Sequence, residues 1–554
     1  MARLLRAAIL IACFLYAGRV FAAGGACPSG ADYPSPATFG PNVTLADLGV
    51  TNCYFVAANG SDSNSGTSES SPWAHLPGMP TCTANCAAAA PAGGTGLIFR
   101  GGDTWNNANF PIKWKWAGAT NNPIYIGTDP NWYSGGASTR PIWNGGGTSA
   151  YPGNMFTINT RPGNVILDDI EVTGLYSATT SGNGPTYLTI CATNVTMERI
   201  YAHGWVHNPG ATQNISAQVF SEGCGTNVSG SVLRYNVADG SDTTQDFMMF
   251  AYSAIPIAYG NYMYKVQTGI DGCGDNWHDN MVDTLIQPVS GAAHQDGLYH
   301  MTPCGYQNGL ITIYNNVVRN VTWSGSGGAV KFWLNGNGGF PSNVTAGYVF
   351  NNVIYNNEPG NTFDTGRSNP GSVNYGTWYI FNNTVECGTS SDPGACQIGT
   401  KTSGNPMTLH LSNNHWITTG PILTCSSPCV ATQTDDLMQS VSQASAQGYS
   451  ASTAYAFEPT SANGATVTQT LTAALASTRQ SLCTAIGSVD TAAGAACQSD
   501  TTYACAYEPG SHTLQCPAKQ TLARASDPNV GAYQFSSVQA TTPNPPAGLV
   551  VSVQ

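Results

Sequence analysis

The chain has 554 residues, 18 Lys and Arg against 30 Asp and Glu, and a formal charge of −12. That balance argues against a nucleic-acid partner, since phosphate binding needs a basic face, and against capture of a polyanion without a bound cation or a locally basic cleft. Charged residues make up only 9% where ordinary domains carry about 25%, yet 42% apolar and 10% aromatic content excludes a disordered chain and points to many short strands with tight turns.

The first element is a signal peptide over residues 1–22. Arg3 and Arg6 precede the apolar run Ala7 to Tyr16, and Val20-Phe21-Ala22 supplies a small-residue cleavage site. The run is too short to span a bilayer and nothing comparable follows, so an exported chain without a membrane span is expected. Of 17 cysteines, Cys13 leaves with the signal. The rest fall into neighbouring couples: Cys27/Cys53, Cys82/Cys86, Cys191/Cys224, Cys273/Cys304, Cys387/Cys396, Cys425/Cys429, Cys483/Cys497 and Cys505/Cys516. Sequence leaves the connectivity open, but an even count in an exported chain favours local disulfides. The two CxxxC pairs lack histidines at zinc-site spacing.

Residues 23–105 read as an N-terminal cap with the first rungs. From 106 to 424 a repeat emerges. Ile313-Tyr314-Asn315-Asn316-Val317-Val318 is echoed at Val349 to Ile354, at Ile380 to Val385 and at Leu411 to Trp416. Looser copies stand at Val165 to Ile170, Val195 to Ile200 and Val232 to Val237. Each copy is a short alternating strand, an Asn-rich corner and another apolar run, with no amphipathic helix between copies. That pattern excludes helical solenoids and βαβ units and predicts an all-β, right-handed parallel β-helix. Residues 425–536 read as a partly helical C-terminal cap over the last rungs with a closing strand, helices falling within Asp435 to Tyr455 and Leu471 to Ile486. Residues 537–554 read as a loose tail.

Both ends carry motifs. Tyr54 to Thr67 (YFVAANGSDSNSGT), Ser71-Pro72-Trp73, Phe99 to Trp105 (FRGGDTW) and Asp527 to Phe535 (DPNVGAYQF) resemble the opening and closing segments of the pectate-lyase-like right-handed parallel β-helix superfamily. With the repeat, the resemblance covers about residues 50 to 536. It implies the fold and leaves the activity open, because one fold hosts many functions.

Chemistry concentrates between His203 and Lys331, where five of nine histidines and eight aspartates fall. Gln245-Asp246 echoes Gln295-Asp296 at an offset of 50, and Gly328 to Phe332 follows the pattern of Gly297 to Met301. If these begin successive strands, the two aspartates, His300 and Lys331 stand on nearby rungs of one face, about 4.8 Å apart per rung. The resemblance then implies a lyase that cleaves a uronate-containing extracellular polysaccharide by β-elimination. Lys331 or His300 would be the base, with Asp296 beside them, and Asp242, Asp246, Asp271 and Asp275 would hold Ca²⁺. His294, Trp323, Trp333 and Arg367 would contact the sugar chain. Two alternatives stay open: a glycoside hydrolase using Asp246 and Asp296, and a non-catalytic glycan-binding or adhesion protein. The polygalacturonase aspartate-pair, Gly-His-Gly and basic-tripeptide set is absent, as is the Arg-x-Pro-x-x-Arg element of pectate lyases, so the reaction type is open. Bland readings compete as well: Asp239 and Asp271 as turn residues, His203 and His207 as surface groups. A monomer is expected.

Overall fold

A computed structural model describes residues 24–33, 42–136, 139–148, 154–159, 163–178, 186–207, 217–222, 228–242, 248–285, 296–300, 309–321, 332–334, 344–356, 363–365, 375–387, 396–399, 406–423, 425, 427–446, 458–469, 471–501, 506–510, 512–515, 521–524 and 529–535. The signal peptide lies outside them. Among these residues, no helix is long and apolar enough to cross a membrane.

The chain winds as a right-handed parallel β-helix. Each turn contributes a strand to a first sheet, passes a tight corner into a second sheet, and reaches a third sheet before returning. The first sheet runs from Asn52–Val56 to Cys429–Thr434, the second from Thr104–Trp105 to Leu437–Gln439, and the third from Ile112–Trp114 to Cys396–Ile398. Every neighbouring pair within the three is parallel, as at Leu310–Tyr314 with Ala346–Phe350 and Val317–Arg319 with Val353–Tyr355. The coil therefore continues through Gln439, two strands into the segment expected as cap.

The Asn-Asn repeat is the corner between the first and second sheets, and its two residues do different work. The first adopts a left-handed backbone, with φ near +56° at Asn315, +57° at Asn351 and +56° at Asn382, which Asn tolerates better than most residues. The second points inward and builds a ladder. Asn316 Nδ2 donates to Asn352 Oδ1 (3.0 Å) and to Trp277 O (3.0 Å), while its Oδ1 accepts from Asn280 N (3.1 Å) and Asn280 Nδ2 (3.0 Å). The ladder runs from Asn236 through Asn261, Asn280, Asn316, Asn352, Asn383 and Asn414 and ends on Asp436. Two of these rungs, cornered by Gly260-Asn261 and Asp279-Asn280, are not visible as repeats because they are short and lack the doubled Asn.

Inward residues stack into apolar columns, such as Trp277, Ile313, Val349, Ile380 and Leu411 in the first sheet. The C-terminal region packs along the flanks of the coil and not simply over its end. Cys483, Ile486, Ala493 and Cys497, from the helices Ala473–Gly487 and Thr491–Cys497, cover the outer face of the first sheet at Tyr314, Phe350 and Phe381. Tyr507 and Leu514, from the antiparallel hairpin Ala506–Glu508 and Thr513–Gln515, lie with Tyr533 on the outer face of the second sheet. No closing strand forms in Asn529–Phe535, whose donors are spent on separate elements: Val530 N on Thr466 O, Gly531 N on Asn413 O and Ala532 N on Thr384 Oγ1.

Disulfides join Cys27–Cys53, Cys82–Cys86, Cys387–Cys396, Cys425–Cys429 and Cys483–Cys497, five of the couples read from the sequence. Cys191 and Cys273 are also disulfide-bonded. The opening motif is explained by one carboxylate: Asp62 accepts from Ala74 N, His75 N, His75 Nδ1 and Thr83 N, pinning that loop over the first rungs.

Candidate functional site

The third sheet presents an outer face on which none of the described contacts of the C-terminal region falls. Alternation and register put one residue per rung on it. From Thr189 the column runs through Ser221, Tyr252, Asp271 and Tyr299, then the backbone of Trp333, and on to Asp364 and Gln397. Inward on the same strands lie Phe220, Ala251, Ile270, Leu298, Phe332 and Phe363. The outer column is polar yet closed off, for Asp271 is 8% exposed and Tyr299 and Asp364 are 5% each. Polar groups buried on an outward face are uncommon without a partner or a task.

Asp271 is the unusual member. It stands mid-strand between Tyr252 and Tyr299, and its Oδ1 has no hydrogen-bond partner among the described residues. Burial, and after it the negative charge of Asp296, pushes its carboxyl well above the ordinary range. Asp296 is itself buried, and its carbonyl accepts from Gly269 N (2.9 Å), which fixes it one rung from Asp271's strand. The Tyr252 phenol is raised in turn, by burial and then by Asp271. A buried carboxyl beside a second one resists ionisation, so Asp271 holds its proton more tightly than an ordinary aspartate.

The register corrects the sequence reading of this face. Leu298 pairs with Ile270, which pairs with Ala251, so the strand Thr268–Cys273 intervenes where an offset of 50 had implied direct succession. The usable signal is Gln267-x-Gly269 against Gln295-x-Gly297, an offset matching the observed pairing. Likewise Phe332 pairs with Leu298 and Leu334 with His300, three residues from the expected match of Lys331 with His300. An odd slip exchanges the two faces of a strand. His300, alternating with the outward Tyr299, points into the core between Trp277 and Trp378, its Nε2–H donating to Gly274 O (2.7 Å), and burial lowers its pKa to about 4. It sits on the opposite side of the strand from Asp271 and does not face the column. Asp246, His294, Trp323, Lys331, Arg367 and the Trp333 side chain lie outside the described residues.

Of the four aspartates expected to share Ca²⁺, Asp246 lies outside the described residues and the other three stand on different elements. Asp242 follows the second-sheet strand Val237–Asp239, where its carboxylate holds His203 Nδ1 (2.6 Å) and Gly204 N (3.0 Å). Asp271 is mid-strand in the third sheet, and Asp275 lies beyond it at the turn into the first, its carbonyl accepting from Thr312 N (2.8 Å). Among the described residues no three His, Cys, Asp or Glu side chains are grouped to hold a metal. His203 bridges Asp242 and Glu171; burial opposes its charge, but the two carboxylates prevail and raise its pKa. Asp239 is a turn residue, accepting from Ser241 N (2.9 Å), as Asp beside Gly often does.

No family model matches the chain, and neither does any curated protein. Among solved structures it is similar to a rhamnogalacturonan lyase, at 14% identity over 69% of this chain and 86% of that one, with a TM-score of 0.37. A structure titled as XylC in complex with xylose aligns at 8% identity over 70% and 86%, TM-score 0.36. A mannuronic acid specific polysaccharide family 6 lyase from human gut microbiota aligns at 12% identity over 61% and 79%, TM-score 0.32. At scores this low, fold and site stand on the register and contacts given above.

Proposed function

We propose that the chain is an exported enzyme that binds an extracellular polysaccharide along the outer face of the third sheet and cleaves it there. Asp271 delivers a proton to the departing glycosidic oxygen and Asp296 serves as the partner carboxylate. The observation that carries this reading is the Asp271 carboxyl: outward, buried, without a partner at Oδ1 among the described residues, and with its pKa raised by burial and by the charge of Asp296. Glycosidic cleavage needs a protonated acid near its working pH, and a second carboxylate then acts as base or nucleophile. Hydrolysis is favoured over β-elimination because Asp271 lies within the field of a second carboxyl, Asp296, and Asp364 stands three rungs further along the same column. Local disulfides support export to an oxidising compartment.

The test is a panel of neutral and uronate polysaccharides offered to the mature protein with and without Ca²⁺. New reducing ends without an unsaturated chromophore, lost in Asp271→Asn, are expected. An unsaturated product would turn the reading to the lyase with a base such as Lys331. Glycan binding without turnover, unchanged in Asp271→Asn, would sink the enzymatic reading and leave a binding protein.

A further inference from the structure

The strand beside Asp271 is distorted at one point. In Met248–Ala254, Ser253 has a left-handed backbone with φ +78°. Among the described residues it is the only one inside a strand with φ in that region; every other lies at a corner, a turn or a helix start. Such a backbone is unfavourable for a residue carrying a Cβ and persists where the surroundings impose it, often next to a functional group. In register, Tyr252 lies against Asp271, Ser253 against Gly272 and Ala254 against Cys273. The distortion therefore falls on the residue that follows the Tyr252–Asp271 pair.

Gly272 is the counterpart of that distortion. A Cβ at residue 272 would overlap the Ser253 carbonyl oxygen and lie 2.8 Å from the Ser253 carbonyl carbon and 2.9 Å from its nitrogen. The obstacle is backbone, which no rotamer change clears, so only glycine fits. Glycine inside a strand often marks such a close approach. Residue 272 stands in the inward column beside His300, and the Ser253 carbonyl takes the place of a side chain there. The two strands are thus keyed together one residue past the acid. The groups that face the Asp271 carboxyl are Tyr252 on one side, Tyr299 on the other and the nearby Asp296, and their spacing depends on that key.

We propose, on the reading of Asp271 as proton donor, that Ser253 and Gly272 are positioning residues: a backbone key that holds Asp271 in its buried place against Tyr252. The test is a ¹³C NMR titration of the Asp271 carboxyl in the mature chain, its signal identified by loss in Asp271→Asn. Beside it, kcat, KM and their pH dependence are measured on whichever polysaccharide is cleaved. Gly272→Ala and Ser253→Val, a β-branched residue that resists the left-handed region, should each lower kcat about ten- to a hundredfold with KM little changed. Both should bring the Asp271 titration, and the pH at which activity falls, down toward the ordinary aspartate range. The double variant should lose no more than either alone, because both break one contact. Ser253→Gly is the conservative variant, since glycine takes this backbone freely; it should keep the titration and kcat, with a melting temperature level or higher. An unmoved Asp271 titration in folded Gly272→Ala or Ser253→Val overturns the proposal, as does an additive loss in the double variant. A lower melting temperature in Ser253→Gly also overturns it, because Ser253 would then carry no strain, and that measurement decides even where the bulkier variants do not fold. The titration needs no turnover. If it moves as expected while Asp271→Asn keeps full activity, the key stands and the reading of Asp271 as proton donor falls.

Discussion

The outer columns of the first and third sheets are built by the same alternation and finished in opposite ways. On the first sheet, Arg234 is paired with Glu198, and Tyr259, His278, Tyr314, Phe350 and Phe381 stack face to face with centroids 4.6 to 5.2 Å apart. The C-terminal helices then cover the upper part of that stack. On the third sheet the column is Tyr252, Asp271, Tyr299 and Asp364, with a buried carboxyl oxygen left unmatched and no described C-terminal residue on top. Aromatic stacks and ion pairs spend their interactions on the fold, although Glu198 Oε1 is also buried without a partner among the described residues. A buried acid oxygen without a partner among the described residues contributes little to the fold, and exceptions to local satisfaction gather where function lies.

The largest expected effect would break that contrast outright. Asp271→Asn should lower kcat by about 10²–10⁴-fold on whichever polysaccharide is cleaved, the usual scale for removing a general acid. Its melting temperature should stay level or rise, because an uncompensated buried carboxyl is removed. Wild-type activity should fall as pH rises through the elevated Asp271 pKa. A variant that loses stability and activity together would instead make Asp271 a structural residue.

Asn316→Ala should do the reverse. It deletes two donated and two accepted bonds in the ladder and leaves Trp277 O and the Asn280 and Asn352 side chains short of partners. A cost of about 3–4 kcal/mol in denaturant unfolding is expected, with the folded fraction retaining its activity. A cost below about 1 kcal/mol would mean the ladder follows the coil and does not hold it.

These two columns were not equally legible in the sequence. The corner was, because an αL position followed by a ladder position selects Asn twice, and Asn315-Asn316, Asn351-Asn352, Asn382-Asn383 and Asn413-Asn414 recur for that reason. The third sheet was not, because its strands are as short as three residues and unequal stretches separate them. Spacing along the chain therefore did not count rungs, and the strand bearing Asp271 was passed over. His300 alternates with the outward Tyr299 and so falls on the inner face with Leu298. Asp296 was recognised, and the described carboxyl that feels its charge is Asp271; Asp246, at an offset of 50, lies outside the described residues.

Near the end of the ladder two buried groups give pH signatures of opposite sign. Burial lowers His415 to about 4, with its Nε2–H donating to Gln439 Oε1 (2.9 Å). Its folded pKa lies below the unfolded value of about 6.5, so its contribution is present above pH 6.5 and is lost as pH falls through 4, about 3 kcal/mol in all. Burial raises Asp436 to about 6 despite donors from Asn414 and Trp416. Its contribution is present below the unfolded pKa of about 3.8 and is lost as pH rises through 6, again about 3 kcal/mol. Urea unfolding from pH 4 to 7 should show the stability gap between wild type and His415→Gln widening with pH, and that for Asp436→Asn moving the other way. Parallel trends would show that neither site is as dry as its packing implies.

The smallest effect concerns the cover on the second sheet, which the third sheet lacks among the described residues. Tyr507 stacks on Tyr262 (centroids 4.9 Å apart), and its hydroxyl donates to Asp239 Oδ2 (2.8 Å), while His512 stacks on Tyr201 (4.2 Å). Tyr507→Phe keeps the ring contact and removes only the hydroxyl, so it should cost about 1 kcal/mol. Because Asp239 also serves the Ser241 turn, the loss should be felt locally: faster amide exchange across Ala506–Glu508 and Thr513–Gln515, with the rungs beneath unchanged. If exchange quickens equally in Val237–Asp239 and Tyr262–Tyr264, the hairpin is part of the coil's cooperative unit and not a cover laid upon it. The contrast between covered and open faces would then lie in how the whole solenoid folds, and less in what each face is for.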